Sequence, residues 1–150
     1  MAYITFQPSD YFNTKLYTGT GASNAITGVG FQPDWLWIKN RSTTSSHIVQ
    51  DAVRGATKQV YPDLTNVEVT GTDGVSSFDS DGFTVGTGVS FNGSGHNIVS
   101  WNWKANGSGS ANTDGSISST VSANTTAGFS IVKYTGNLTS GANIGHGLGV

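Results

Sequence analysis

The chain of 150 residues has no cysteine, one methionine, three prolines and few charged side chains. Without cysteine it can form neither a disulfide framework nor a thiolate-bound metal site. Charged residues make up 11% of the chain, the net charge is −2, and the seven lysines and arginines are spread singly. Nucleic-acid-binding proteins usually gather basic side chains into a patch that holds phosphates. The composition therefore predicts no nucleic-acid partner.

Long apolar segments are also missing. The first eight residues have no basic region, and no apolar run is long enough for a signal peptide or a membrane span. We therefore expect a protein that is made in the cytoplasm and is not inserted into a membrane.

The residues that are abundant indicate a β protein. There are 21 glycines, together with many serines, threonines and asparagines, which favour short turns between strands. Four tryptophans, five tyrosines and seven phenylalanines supply material for a core. Disordered chains are usually rich in charge and poor in aromatic residues, so this composition favours a folded domain.

Short apolar stretches separated by turn residues predict a series of strands. The candidates are residues 3–6, 15–18, 35–38, 47–53, 67–70, 78–85 and 97–104. Residues 47–60 also fit a helical period of 3.6, but Gly55 and the β-branched content favour a strand. With no strong helix signal elsewhere, the pattern predicts an all-β fold, an antiparallel β-sandwich.

Part of the chain recurs 117 residues further on. Residues 12–33 match residues 129–150 at eight of 22 positions. The identities are Phe12/Phe129, Tyr17/Tyr134, Thr18/Thr135, Gly19/Gly136, Ser23/Ser140, Ala25/Ala142, Gly28/Gly145 and Gly30/Gly147. Repeated units usually supply surfaces and spacers rather than one active site. A chance match between two Gly/Ser/Thr-rich hairpins is the alternative.

The repeat predicts three regions. Residues 1–105 form a β-sandwich domain, and residues 128–150 are a partial second repeat. Residues 106–127 are either a Gly/Ser/Thr-rich linker or, at 116–121, the first strand of the next repeat. We expect the partial repeat to be disordered or to be completed by pairing with a neighbouring chain. Because the second copy stops within the repeat, the pattern suggests the front end of a longer modular protein.

The pairs Trp35/Trp37 and Trp101/Trp103 are candidates for sugar stacking. Residues i and i+2 of a strand share a face, and tryptophan is also common in sandwich cores. Core packing is therefore the favoured interpretation, with ligand stacking as the alternative.

The polar candidates carry weaker signals. The run from Asp79 to Gly82 resembles a fragment of a calcium loop, but it lacks a third oxygen ligand and a distal glutamate, so a turn is favoured. His47, His96 and His146 have no metal-ligand spacing, which favours structural or surface roles.

Catalytic motifs are weaker still. Asp51 and Arg54 favour an ion pair or simple surface exposure, no nucleophile elbow is present, and Glu68 is the only glutamate. The glycine-rich stretches 19–21 and 86–88 lack a following helix and read as turns. The sequence thus predicts a non-enzyme with no catalytic, cofactor-binding or metal-ligating residue and with no cofactor. It does not identify ligand-binding residues.

Segments 28–41, 47–55, 77–83 and 97–105 together form a recognisable pattern. They include Gly-Phe-Gln-Pro-Asp-Trp-Leu-Trp-Ile-Lys and Asn-Ile-Val-Ser-Trp-Asn-Trp-Lys. This pattern resembles the repeated β-sandwich domains of tailed-phage virion proteins, commonly tail-fibre or tail-appendage proteins of marine phages. The resemblance covers essentially the whole chain. It implies a jelly-roll or concanavalin-like sandwich with a structural or adhesive role, and it transfers no catalytic residue.

The resemblance leads to a functional expectation. It implies a virion structural protein, the N-terminal part of a tail fibre or appendage that attaches to the particle and presents host-binding repeats. The expected partners are other copies of the chain, as a homotrimer, other virion proteins, and host-surface glycans. A capsid decoration or knob protein is one alternative. A carbohydrate-binding module is another, and it predicts exposed, coplanar aromatic side chains.

Overall fold

A computed structural model describes residues 6–149 of the chain. Within them the chain is built almost entirely of antiparallel strands and forms the predicted all-β sandwich. The strand predicted at residues 3–6 lies outside the described residues except for Phe6, which belongs to no strand. No helix in the described part of the chain is long and apolar enough to cross a membrane.

Twelve strands, one 3₁₀ turn (Pro8–Asp10) and one short helix, α1 (Val89–Asn92), are present between residues 6 and 149. The strands are β1 (Phe12–Thr18), β2 (Asn24–Ile26), β3 (Trp35–Asn40), β4 (Ile48–Asp51), β5 (Lys58–Gln59), β6 (Val69–Thr70), β7 (Val75–Asp79), β8 (Gly82–Val85), β9 (Asn97–Trp103), β10 (Ser110–Asn112), β11 (Ser119–Asn124) and β12 (Phe129–Tyr134).

Two sheets make up the body of the sandwich. The main sheet has the order β1-β9-β3-β4, and the second sheet has the order β2-β8-β7. All neighbouring strands in both are antiparallel. Strand β9 pairs with β1 on one side and with β3 on the other. The first and the last strand of residues 12–103 are therefore neighbours in one sheet.

The core lies between these two sheets. Alternation along each strand places every second side chain on the same face. The main sheet contributes Leu36, Ile38, Ile48 and Ile98 to the buried cluster. The second sheet and α1 contribute Ile26, Val75, Phe83, Val85 and Phe91. Their removal from water is the principal stabilising term in a fold with so few charges.

Helix α1 is a single turn that begins directly after the glycine-rich stretch 86–88, so the expectation that no helix follows this stretch was wrong. Phe91 points into the core, and its carbonyl oxygen accepts a 2.7 Å hydrogen bond from the hydroxyl of Tyr17. Burial raises the pKa of the Tyr17 phenol, so the hydroxyl stays protonated and remains a donor. The side-chain amide of Asn40 donates to the Val89 carbonyl oxygen over 2.7 Å. These two bonds tie α1 to the main sheet.

Asn92, at the end of α1, is completely buried and joins the loops on either side of it. Its Oδ1 accepts hydrogen bonds from the backbone N–H of Thr20 (2.8 Å) and from Nδ2 of Asn24 (3.2 Å). Its Nδ2 donates to the carbonyl oxygens of Gly86 (2.8 Å) and Ala22. One side chain therefore satisfies polar groups of the loop after β1 and of the loop after β8.

Most strand predictions within residues 6–104 are confirmed. The 47–60 segment forms β4 and β5, with an isolated bridge between Val49 and Val60, so the strand interpretation was right and the helical one was not. The predicted turn between Asp79 and Gly82 joins β7 to β8. Gly82 is required there, because its φ is +154° and a Cβ would lie 1.9 Å from the Ile26 carbonyl oxygen.

Strands β10, β11 and β12 form a third sheet, of order β10-β11-β12. Two strands, β10 and β11, lie within the 106–127 region, where the sequence allowed either a linker or a first strand at 116–121. Strand β11 begins at Ser119, inside that candidate segment. Strand β12 pairs with β11 over its whole length, from Phe129 opposite Asn124 to Tyr134 opposite Ser119.

Candidate functional site

The outer face of the main sheet carries all four tryptophans of the chain. Trp35 and Trp37 alternate with core residues in β3, and Trp101 and Trp103 do the same in β9. The pairing register sets Trp35 opposite Trp103 and Trp37 opposite Trp101. The four indoles therefore form a two-by-two array, which we call the tryptophan face.

The favoured expectation of core packing was wrong. Each tryptophan is only half-buried, and none belongs to the cluster that fills the sandwich. The aliphatic residues between them, such as Leu36 and Ile98, occupy the core positions instead. The shared face of each i, i+2 pair was predicted correctly, but that face points away from the second sheet.

The indole rings meet edge to face. The Trp35 and Trp103 ring centroids are 4.6 Å apart at an interplanar angle of 79°. Trp37 lies 5.9 Å from Trp35 at 85° and 6.2 Å from Trp101 at 69°. Such contacts stabilise aromatic clusters beyond the area they bury. The rings are therefore not coplanar, as a flat platform for successive sugar rings would require.

One half of the tryptophan face is covered by the third sheet. Phe129 of β12 stacks on Trp103 with centroids 6.2 Å apart at 25°, and it meets Trp35 edge-on at 6.5 Å. Phe129 is the repeat counterpart of Phe12, whose ring also contacts Trp103, at 4.7 Å. Equivalent phenylalanines of the two repeats thus pack on the same indole.

The other half of the face remains open. A depression of about 250 Å³ is lined by Phe12, Trp37, His47, Trp101 and Trp103. The indole Nε1–H of Trp37 donates a 2.8 Å hydrogen bond to Nδ1 of His47. That bond orients the imidazole and places its proton on Nε2. The lining is therefore almost wholly aromatic, with His47 as its polar member.

Exposed apolar side chains extend this open half towards β1. Phe12 is 38% exposed and Leu16 is 63% exposed. Both lie on the same face as the tryptophans, since Phe12 pairs with Trp103 and Leu16 with Val99. Thr14, which is exposed and pairs with Trp101, lies between them on this face. Exposed apolar side chains grouped in this way commonly mark an interaction site.

The ion pair predicted between Asp51 and Arg54 is confirmed. Nε of Arg54 lies 2.6 Å from Oδ2 of Asp51, and its Nη1 lies 3.1 Å from Oε2 of Glu68. Asp51 also accepts a hydrogen bond from the Arg54 backbone N–H at 2.8 Å. Both carboxylates therefore engage the same guanidinium, next to Trp35 at the covered end of the tryptophan face.

The two aspartates of the calcium-like turn are engaged within the fold. Oδ2 and Oδ1 of Asp81 accept hydrogen bonds from the backbone N–H groups of Gly28 (2.9 Å) and Gly30 (2.7 Å). Oδ2 of Asp79 accepts a 2.8 Å hydrogen bond from the Thr84 hydroxyl. Among residues 6–149, no group of three or more histidines and carboxylates is arranged to hold a metal ion.

Asp81 predicts a pH effect on stability. The Gly28 and Gly30 amides, helped by nearby Lys15, hold the pKa of Asp81 below its ordinary value. At a pH between the pKa of Asp81 in the folded chain and its higher pKa in the unfolded chain, the unfolded chain binds more protons than the folded one. Stability from this contact is therefore complete above about pH 4, the ordinary aspartate value, and falls as pH drops through the folded pKa.

Urea denaturation at several pH values measures this effect. We expect Asp81→Asn to lower the midpoint at pH 7 and to remove part of the loss seen below pH 4. Asp10→Asn is the control, because Asp10 is an exposed residue of the 3₁₀ turn. Equal midpoints for the wild type and Asp81→Asn at pH 7 would contradict the assignment.

The three histidines lie in different surroundings. His47 belongs to the tryptophan face, whereas Nδ1 of His96 lies 3.0 Å from Nδ2 of the buried Asn40. Nδ1 of His146 accepts a 3.1 Å hydrogen bond from the backbone N–H of Leu148. Each ring thus contacts nearby polar groups of the fold.

Comparison with known proteins identifies a family. No curated protein and no solved structure matches the chain. A family model described as a domain of unknown function, DUF7483, matches residues 7–150. The match runs from the first sandwich strand through β12, across the boundary predicted between residues 105 and 106. The chain belongs to the DUF7483 family, a domain family of unknown function.

Proposed function

We propose that the chain is a non-enzymatic structural module of a tailed-phage virion, the N-terminal part of a tail fibre or appendage. In this proposal the open half of the tryptophan face binds a second copy of the chain. Its resemblance to phage appendage domains and its internal repeat support a structural role. Repeated units of this kind build extended assemblies rather than single active sites.

The observation that carries the proposal is the covered half of the tryptophan face. Phe129, from the second repeat, packs on Trp103 and Trp35. The same face therefore already accepts an aromatic side chain from another repeat unit. A second copy can use the equivalent chemistry on Trp37 and Trp101, which the third sheet leaves open.

The composition of the open half favours a protein partner over a sugar. Sugar sites combine aromatic stacking with several hydrogen-bonding side chains around the ring. Here the lining is four aromatic rings and His47, and Phe12 and Leu16 are exposed beside it. Aromatic residues at the centre of an apolar patch are typical of protein interfaces.

The place of the protein in a particle can be tested by electron microscopy with antibody labelling. Antibodies raised against this chain are applied to phage particles whose genome encodes it. We expect label on the tail or its appendages. Label confined to the head would favour a decoration protein instead, and particles without label would contradict a virion role.

A carbohydrate-binding module is the second candidate. The depression of about 250 Å³ between Trp37 and Trp101 favours it, because indole faces can stack on sugar C–H groups. The edge-to-face geometry counts against extended stacking but leaves room for one ring. In this case the same surface would bind a host glycan instead of a protein.

A glycan array separates the two candidates. The wild type is compared with Trp37→Ala and with Val89→Ala, a control at an exposed residue of α1 outside the depression. On our proposal the array shows no binding that depends on Trp37. Binding lost at least tenfold in Trp37→Ala and kept in Val89→Ala would establish the carbohydrate alternative.

A further inference from the structure

Strand β12 has a free edge within the described part of the chain. It is the last strand of the β10-β11-β12 sheet and pairs with β11 on one side. Among residues 6–149, no backbone hydrogen bond joins its other side to another segment. Such an edge presents N–H and C=O groups that can pair with an added strand.

A groove runs beside this edge. Two depressions of about 510 and 200 Å³ follow β12, and residues 129–134 line them along its length. The opposite wall is formed by the first repeat, chiefly Trp35, Asp51 and Arg54. An extended peptide of six residues spans about 20 Å, which matches the length of the strand.

The internal repeat indicates what fits there. Strand β12 is the counterpart of β1, with Phe129 aligned to Phe12 and Tyr134 to Tyr17. Along its whole length β1 pairs antiparallel with β9, from Phe12 opposite Trp103 to Thr18 opposite Asn97. The equivalent partner of β12 is therefore a strand with the pattern of β9, in which Val99, Trp101 and Trp103 share one face and Ile98, Ser100 and Asn102 share the other.

We propose that the free edge of β12 binds an extended strand of β9-like sequence from a neighbouring chain. Pairing in the repeat register sets a tryptophan of the incoming strand opposite Phe129, as Trp103 lies opposite Phe12. Its other side chains fill the groove against Trp35 and Arg54. This contact uses a different surface from the open half of the tryptophan face, so it does not depend on the proposed function.

A peptide of residues 97–104 with a solubilising lysine tail tests the proposal. It is titrated into the full chain labelled with ¹⁵N, and backbone amide exchange is followed by NMR. We expect at least tenfold slower exchange at amides within 129–134 and unchanged exchange in β1. The control peptide carries Val99→Pro and Trp101→Pro, which removes two backbone donors and prevents strand pairing.

The outcomes are distinct. Strand addition is supported if the native peptide slows amide exchange in β12 and the proline-containing peptide does not. No protection at millimolar peptide, equal effects of the proline peptide, or changes restricted to the indoles of Trp37 and Trp101 would each overturn it. The titration of the native peptide is repeated with the full chain carrying Trp101→Ser, which alters the tryptophan face but not β12. Strand addition predicts the same slowing of amide exchange in β12 for this variant as for the wild type.

Discussion

Replacing Trp103 by alanine is expected to lower the free energy of unfolding by about 3 kcal/mol, near the lower end for buried aromatic residues because this indole is half-buried. Trp103 is the common contact of three rings, with centroids 4.7 Å from Phe12, 4.6 Å from Trp35 and 6.2 Å from Phe129. Its loss leaves Phe129 without its stacking partner. The third sheet should therefore dissociate from the main sheet more readily than the sandwich unfolds.

Two measurements check the Trp103→Ala prediction. Urea denaturation gives the change in stability, and amide exchange shows whether β11 and β12 lose protection before the main sheet does. Trp101→Ala is the matched control. The ring of Trp101 packs against Trp37, whereas Phe129 stacks on Trp103. If Trp103→Ala and Trp101→Ala have equal effects on β12 exchange, the Phe129 contact does not hold the third sheet in place.

Asn92→Ala should be about as damaging, at about 3 kcal/mol or more, because several buried polar groups lose their partner at once. The carbonyl oxygens of Gly86 and Ala22 lose a donor, and the Thr20 amide loses its acceptor. The truncated side chain also leaves a small cavity at this fully buried position. An unfolded chain satisfies all these groups with water.

Denaturation of Asn92→Ala should be compared with that of Asn106→Ala. Asn106 is exposed, and its substitution is expected to change stability by less than about 0.5 kcal/mol. We expect Asn92→Ala to shift the midpoint strongly and Asn106→Ala to leave it unchanged. A loss below about 1 kcal/mol for Asn92→Ala would mean that water replaces the side-chain amide at little cost.

Much of the fold could be predicted from local patterns. The alternation between residues 97 and 104 predicted β9 almost to its ends, and the Asp/Gly turn predicted the β7–β8 hairpin. Both features depend on neighbouring residues alone. The Asp51–Arg54 ion pair could be predicted for the same reason, because its partners are three residues apart.

The orientation of the tryptophan face could not be predicted in this way. Both faces of β3 are apolar, with Trp35 and Trp37 on one and Leu36 and Ile38 on the other. Periodicity separates the two faces but does not say which one meets the second sheet. That choice is made by the fit of Phe83 and its neighbours against the aliphatic side.

Residues 106–149 were hard to assign because little of their structure depends on apolar alternation. Strand β10 contains Ser110, Ala111 and Asn112, and polar contacts hold much of the region. The Asn106 backbone N–H donates to the Ser122 hydroxyl over 2.8 Å, and the Ser116 N–H donates to Oδ1 of Asn143 over 2.8 Å. Hydrogen bonds of this kind, between residues 16 and 27 positions apart, leave no periodic signal in the sequence.

The central claim is that the open half of the tryptophan face joins copies of the chain. Light scattering of the full chain, with Trp101→Ser and the exposed control Val89→Ser, tests it most directly. We predict a closed multimer for the wild type and for Val89→Ser, and a folded monomer for Trp101→Ser. A monomeric wild type, or a multimer that Trp101→Ser leaves intact, would contradict the account.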